Sequence, residues 1–504
     1  MFLSLQLLSL SMLFVVPLLV FTVLKQLRRS EFHRSNHKLP PGPWKLPIIG
    51  SLHHLIGWSN LFHVKFADLA LKYEMPIMHL HLGKLSFVVI SSPEIAEEVL
   101  RTNEVNFAQR FQLIDAESHP YPDCSLIFAP YNDYYKHIRR ISVTDLFNNK
   151  RVLSLKSLRE EEVGILVDSI CIQASSSIPF NLSESFCLFI NNIVTRSVLG
   201  NKSDYLEEFK SCLADVISST KSFGVDDLFP FLKLLRLVNG KKRRMKKVFK
   251  RMDNVLSVII DEHITKKTVL GTIWDDKPKH EDLLDVLLGI QGSGQAALTH
   301  DHIKNLILDI FAAGSMAVRS ILEWAMAEML RNPRIMKKAQ AEVRNAVLGK
   351  IKLKEEDTQN LPYLNSIIKE TMRLHISTPL LPRESRKTCK INGFLIPEKT
   401  KIVVNIWAMS RDPKYWSDPE CFEPERFTVS STNGMEYIPF GAGRRKCPGG
   451  YFGLTSIELA LAQLLCHFDW KLPQGVKPED LDMNEISEIT TRRKKDLYVV
   501  AVHV

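Results

Sequence analysis

A chain of 504 residues, 45% hydrophobic and 24% charged, can bury one large core, and no Pro/Gly/Ser-rich linker or internal repeat divides it after residue 45. The net charge of +10 excludes a generally acidic surface and suits acidic partners or an anionic membrane. Eight cysteines stand singly without a CxxC pair, which excludes a disulfide framework and points to reduced thiols in a cytosol-facing domain.

Residues 1–24 carry no charge and are apolar apart from Ser, Gln and Thr. As a helix they would span roughly 36 Å, enough for a bilayer core. Lys25, Arg28, Arg29, Arg34 and Lys38 follow, and positive charge after the span keeps the body on the cytosolic side. A cleaved signal peptide is the competing reading, but it lacks a charged start and a small-x-small cleavage site. Leu39-Pro40-Pro41-Gly42-Pro43 fixes φ and removes N–H donors, so residues 25–45 read as a stiff, basic and proline-rich hinge. Residues 46–504 then form the folded domain.

The body reads as mainly α with a minor β portion, an α+β fold. Residues 86–91, rich in Val and Ile, read as a strand. Pro93 opens a helix towards Leu100, with Glu94, Glu97 and Glu98 in its early turns. The basic run Lys241, Lys242, Arg243, Arg244, Lys246, Lys247, Lys250 and Arg251 has no interleaved aromatics. It reads as a solvated helix near an anionic membrane rather than a nucleic-acid patch. Apolar residues recur at helical spacing over 302–330; Asn332-Pro333 ends that helix and Arg334 starts the next. Residues 399–408 alternate towards strand, and 454–467 form an apolar helix.

The run Phe440-Gly441-Ala442-Gly443-Arg444-Arg445-Lys446-Cys447-Pro448-Gly449-Gly450 carries the chemistry. Its glycines let the backbone turn tightly and let a helix start close to a planar ligand. Phe440 can cover the sulfur, while Arg444 and Arg445 supply positive charge that favours thiolate. One shielded thiolate suits the axial ligand of a haem iron; a buried structural Cys in a glycine-rich turn is the alternative. No GxGxxG fingerprint for a dinucleotide or flavin accompanies it, so electrons must come from a separate protein.

The pattern Phe-x-x-Gly-x-x-x-Cys-x-Gly, with Arg two before the Cys, resembles the haem-binding loop of cytochrome P450 enzymes. The resemblance extends from Leu39 to Val504, and the proline-rich hinge is similar to that of microsomal members. It implies haem b with Cys447 as the metal ligand, and Phe440 and Arg445 at the cofactor. Tyr135-Lys136-His137-Ile138-Arg139 falls where the family has Trp-x-x-x-Arg, so Tyr135 and Arg139 are implied at the haem, with Tyr replacing Trp. Arg383 matches a further propionate contact. Glu370-Thr371-Met372-Arg373 and Arg426 of Pro424-Glu425-Arg426-Phe427 match the family's structural triad. NADPH is implied to act through a cytochrome P450 reductase, with cytochrome b5 as a further candidate donor. The implied location is the endoplasmic-reticulum membrane, single-pass, with the catalytic domain cytosolic.

One stretch departs from the family. Phe311-Ala312-Ala313-Gly314-Ser315-Met316-Ala317 occupies the place of the Ala-Gly-x-Asp/Glu-Thr oxygen groove, so Met316 stands for the acid and Ala317 for the alcohol. Gly314 is expected to leave room for dioxygen, and Phe311, Ala313, Met316 and Thr378 to line the substrate pocket. Ser315 points about 200° away from position 317 and cannot replace the alcohol. The loop from His375 to Arg383 is one residue shorter than the family's usual form. Three outcomes stay open: protons carried by water or a substrate hydroxyl, an oxidation without hydroxylation, or reduced monooxygenation. The resemblance within the family is to plant enzymes of specialised metabolism. It implies a lipophilic substrate, a terpenoid first and an indole alkaloid as the alternative, and no nucleic acid.

Overall fold

The computed structural model describes residues 39–504 except 48, 56–60, 84, 112–123, 176–177, 201–204, 220–240, 271–280, 293–297, 351–352, 430–433 and 488–489. The expected anchor at 1–24 and the first part of the hinge lie outside the described residues. The elements that position the site are α1 (Phe62–Lys72), β1 (Ile77–Leu82), β2 (Leu85–Ile90), α2 (Pro93–Glu97), α3 (Asp133–Ile141), α4 (Lys156–Ala174), α5 (Leu182–Leu199), α6 (Lys241–Leu270), α7 (His300–Arg331), α8 (Pro333–Val347), α9 (Pro362–Leu374), β3 (Leu380–Glu384), β4 (Lys401–Asn405) and α10 (Gly450–His467). Helices dominate and the sheets are minor.

The largest sheet has strand order β1-β2-β4-β3. β1 and β2 pair antiparallel from Ile77↔Ile90 to Leu82↔Leu85, β2 runs parallel to β4 with Val88↔Ile402, and β3 closes the sheet antiparallel with Leu381↔Val404. The hinge is less free than its prolines imply. His79 N–H donates to the Pro41 carbonyl at 2.7 Å, and a Cβ on Gly42 would come 1.9 Å from the His79 carbonyl oxygen. Residues 41–42 are therefore held against β1.

Local chemistry explains the element ends. Ser92 accepts from Ile95 N–H ahead of Pro93, and the α-helix gives way to a π-helical turn at Glu98–Thr102. Asn132 caps α3 by accepting from Tyr135 N–H at 2.9 Å. Thr299 and His302 form a capping box that starts α7, which ends at Asn332; α8 begins on Pro333 itself, its N1 position. The expected strand at 399–408 stops at Asn405, whose side chain accepts from Ala408 N–H and opens a short helix, Ile406–Met409. α10 begins at Gly450, four residues earlier than its apolar pattern indicates.

α7 is long and apolar enough to cross a bilayer, yet most of it is buried inside the fold. It packs along α5 and against α9 and α10, so one apolar body surrounds the helix that faces the site. The N-terminal half of α6 keeps Arg243, Arg244, Lys246, Lys247, Lys250 and Arg251 exposed, a solvated basic face.

Candidate haem-thiolate site

The loop before Cys447 is shaped by its glycines. Gly441 and Gly443 both have φ of 69°, where a side chain is strained. A Cβ on Gly443 would also lie 2.0 Å from the Leu100 carbonyl oxygen. Cys447 N–H donates to the Phe440 carbonyl at 2.9 Å, which closes the loop and brings the ring of Phe440 against Gly450. Cys447 is exposed, yet the protein packed around it desolvates the thiol and raises its pKa. The residue thus keeps a solvent-facing side while protein around the thiol desolvates it. The Gly449 N–H and the cations Arg139, Arg110 and Lys446 pull the thiol back towards ionisation.

Those cations differ from the expected Arg444 and Arg445. Arg444 is exposed and its Nε pairs with Glu104 Oε1 at 2.9 Å. Arg445 is buried, and its guanidinium donates to the carbonyls of Ala108 (2.8 Å), Leu126 (3.4 Å) and Ala129 (2.6 Å). It also lies 3.5 Å above the centroid of the Tyr135 ring. The Tyr135 hydroxyl donates to the Arg444 carbonyl at 3.1 Å, tying α3 to the Cys loop.

Three further arginines converge here. Arg139 is half-buried one turn after Tyr135. Arg383 on β3 is 2% exposed and donates to its neighbour's carbonyl, Pro382, at 2.8 Å. Arg110, which no sequence motif marks, donates from Nη1 to Ile127 O at 3.0 Å and keeps a buried Nε without a partner. None of the four arginines forms an ion pair with a carboxylate among the described residues. Burial first, and the neighbouring guanidiniums next, drive Arg383 well below its ordinary pKa; Arg445 falls to about 10, chiefly through burial.

Away from this cluster, Glu370, Arg373 and Arg426 meet in a buried triad. Arg373 binds Glu370 through Nε (2.7 Å) and Nη2 (2.9 Å), and Arg426 Nε reaches Glu370 Oε1 at 3.0 Å. Arg373 also donates to the carbonyls of Ser410, Pro419 and Cys421. Helix α9 thereby grips the irregular segment that leads to the Cys loop.

On α7, Ala313 has an exposed face, and Met316 and Ala317 are half-buried; Thr378 across from them is exposed. Two residues have neighbours that the sequence did not show. A Cβ on Gly314 would meet Val194 of α5 at 3.4 Å, an ordinary van der Waals contact, so α5 is the neighbour on that side of the glycine. Phe311 is 1% exposed and packs edge-on against Phe209 at 4.5 Å, which makes it a core residue rather than a pocket wall. Ser315 is buried with a partnerless hydroxyl, and Ser320 donates to Thr491 O at 2.9 Å, so neither substitutes for the missing alcohol. The Ser377 hydroxyl makes a long contact, 3.5 Å, to the Ala317 carbonyl.

Asp309, one and a half turns before Gly314, is 6% exposed. Its carboxylate accepts from the Ser125 hydroxyl (3.0 Å to each oxygen) and from Leu126 N–H (2.6 Å). Burial pushes it up to about 7, against the pull of those donors, the Ile127 N–H and Arg110. A carboxylate inside the apolar run Leu306-Ile307-Leu308-Asp309-Ile310-Phe311 was a signal visible in the sequence; Arg110 offered none.

The cytochrome P450 family model matches residues 40–500. The chain belongs to the cytochrome P450 family. It is 46% identical over 490 residues to melianol synthase CYP71BQ5 of Melia azedarach, covering 96% of each chain. It is 45% identical over 471 residues to premnaspirodiene oxygenase of Hyoscyamus muticus, covering 92% of each. A zebra fish cytochrome P450 solved with abiraterone shares the fold, with a TM-score of 0.73, 24% identity, and coverage of 88% of this chain and 99% of that one.

As a P450, the protein is a monooxygenase with a haem-thiolate cofactor, reduced by NADPH through a reductase. The residues present fit that group. Four guanidiniums with no carboxylate among them, one with an orphaned Nε, suit an anionic partner, and the two propionates of haem supply one. The open-faced Cys447 sulfur and its glycine-built loop suit an iron held close to backbone.

Proposed function

We propose that this P450 is a membrane-anchored oxidase of plant specialised metabolism acting on a small lipophilic terpenoid. Cys447 would hold the iron, Phe440 would shield the sulfur from water, and Arg110, Arg139, Arg383 and Arg445 would take the propionates. Haem, when bound, supplies reductive use of dioxygen, one oxygen atom going to substrate and the other to water at the expense of NADPH. The observation that carries the reading is the convergence of four unpaired arginines beside an open-faced cysteine. Melianol synthase and premnaspirodiene oxygenase, both plant relatives, support the terpenoid class. Ala313, Met316, Ala317 and Thr378 are the walls a substrate would meet. Glu370, Arg373 and Arg426 act structurally, by holding the segment that carries the loop. Residues 1–24 would anchor the chain in the endoplasmic-reticulum membrane, with 25–45 as hinge, 46–504 as the catalytic domain on the cytosolic side, and cytochrome b5 as a second donor.

A second reading rests on Met316 and Ala317. An apolar pair where protons are ordinarily passed favours a step without hydroxylation, such as desaturation, ring formation or rearrangement, on a terpenoid or an indole alkaloid. Co-expression with a plant reductase, followed by an untargeted product screen against both scaffold classes, separates the two. A hydroxylated terpenoid supports the first reading, a product gaining no oxygen supports the second, and NADPH-dependent turnover of neither class rejects both. Deletion of residues 1–24 should release most of the protein from carbonate-washed membranes; full retention rejects the single anchor.

A further inference from the structure

The segment from Cys124 to Tyr131 touches both walls of the site. On one side it is pinned to α7. Asp309 accepts from Ser125 and from Leu126 N–H, while the same Ser125 hydroxyl accepts from Ile127 N–H and Phe128 N–H at 3.1 Å each. Ser125 is fully buried, and its carbonyl accepts from Ala129 N–H at 2.8 Å, so one carboxylate organises a complete turn. Tyr134 adds a brace by donating its hydroxyl to the Cys124 carbonyl at 2.8 Å.

On the other side, the carbonyls of this turn hold the arginines. Ile127 O receives Arg110, and Leu126 O and Ala129 O receive Arg445, two residues before Cys447. Three of the carbonyls that orient these guanidiniums, those of Leu126, Ile127 and Ala129, therefore belong to a turn whose N–H groups are held by Asp309 and Ser125, while the Ala108 carbonyl that takes Arg445 Nε lies outside it. A guanidinium whose donors are already assigned to backbone is pre-aimed, so less freedom is lost when it binds an anion.

We propose that Asp309 is a positioning residue for the cofactor: through the Ser125 turn it fixes the carbonyls that aim Arg110 and Arg445, and so sets how tightly haem is held. This rests on the reading of the four arginines as the propionate cradle. The carboxylate itself touches neither iron nor substrate in this role.

The test uses the full-length holoprotein and the rate of haem transfer to excess apomyoglobin, with the ferric/ferrous midpoint potential as a second readout. Asp309→Ala and Ser125→Ala should each release haem about tenfold faster, as expected for two or three lost hydrogen bonds. Ser125→Thr, which keeps the hydroxyl, should restore slow release. If Asp309 acts through Arg445 as well as Arg110, the double variant of Arg445→Leu with Asp309→Ala should release haem more slowly than the product of the two single effects, and its potential shift should fall short of their sum. Multiplying rates, or wild-type release in both alanine variants, would overturn the inference. Should Asp309→Ala not accumulate, Ser125→Ala paired with Arg445→Leu carries the same comparison. Wild-type haem release by Arg445→Leu and Arg110→Leu alike would instead defeat the cradle reading itself, whereas wild-type behaviour of the Asp309 and Ser125 variants alone defeats only the positioning role.

Discussion

Around Cys447, arginines from the 110 segment, α3, β3 and the Cys loop converge, and nearly every donor they own is aimed at a backbone carbonyl or left free for an anion. The 313–317 stretch of α7 differs in kind, with two alanines, a glycine, a methionine and a serine whose buried hydroxyl has no partner. Both regions are deep in the same domain. The Cys side concentrates positive charge with no ion pair to a carboxylate among the described residues, and on the proposed reading the haem propionates would set its residue types. The α7 side has no cofactor group to satisfy, so its residues are free to be set by substrate and reaction, and here they omit the usual proton-passing pair.

The largest expected effect lies on the Cys side. Cys447→Ser should abolish the thiolate-type carbon monoxide difference spectrum and all turnover, because the sulfur donor is gone. Retention of both would break the contrast at its root. Next comes the triad that supports this side from below. Arg373→Met leaves the carboxylate of Glu370, 0% exposed, without its two-point partner, at a cost of roughly 3–5 kcal/mol. Loss of folded, haem-containing protein on expression is the readout; a wild-type melting temperature would contradict it.

A smaller effect sharpens the contrast by titration. In the fold Asp309 keeps its proton up to about pH 7, because burial outweighs its donors, while an unfolded aspartate releases its proton near pH 4. Between those values the folded chain binds the extra proton. Its stability therefore falls as pH rises through that window, by on the order of 1 kcal/mol per pH unit. Asp309→Asn should flatten that slope in thermal melts between about pH 4.5 and 7, leaving the remaining pH dependence in place. An unchanged slope would mean that the carboxylate is ionised throughout.

Legibility followed the same division. The Cys loop, Arg139, Arg383 and the Glu370–Arg373–Arg426 set could be named in advance from their likeness to family motifs, and the structure brings the last three into contact. Strand β2 and helices α7 and α10 were readable from apolar period, to within a few residues at their ends. Arg110 was invisible, since its meaning comes from the Ile127 carbonyl and from neighbours far along the chain. Gly314 and Phe311 were placed on the helix correctly, but their surroundings belong to Val194 and Phe209, which no local pattern reveals. The strand at 401–405 was overextended because Ile406, Trp407 and Met409 continue an apolar run; only the Asn405 cap turns it into a helix.

The contrast between the two walls is tested most directly by restoring what α7 omits. In the double variant Met316→Asp, Ala317→Thr, product identity and the ratio of product formed to NADPH consumed are measured together, with the same reductase and substrate as for the wild type. If the apolar pair governs the reaction, either the product shifts towards hydroxylation or the ratio rises as less reductant is lost to peroxide. An unchanged product with an unchanged ratio would show that these residues have no bearing on the chemistry, and the account of α7 would fail.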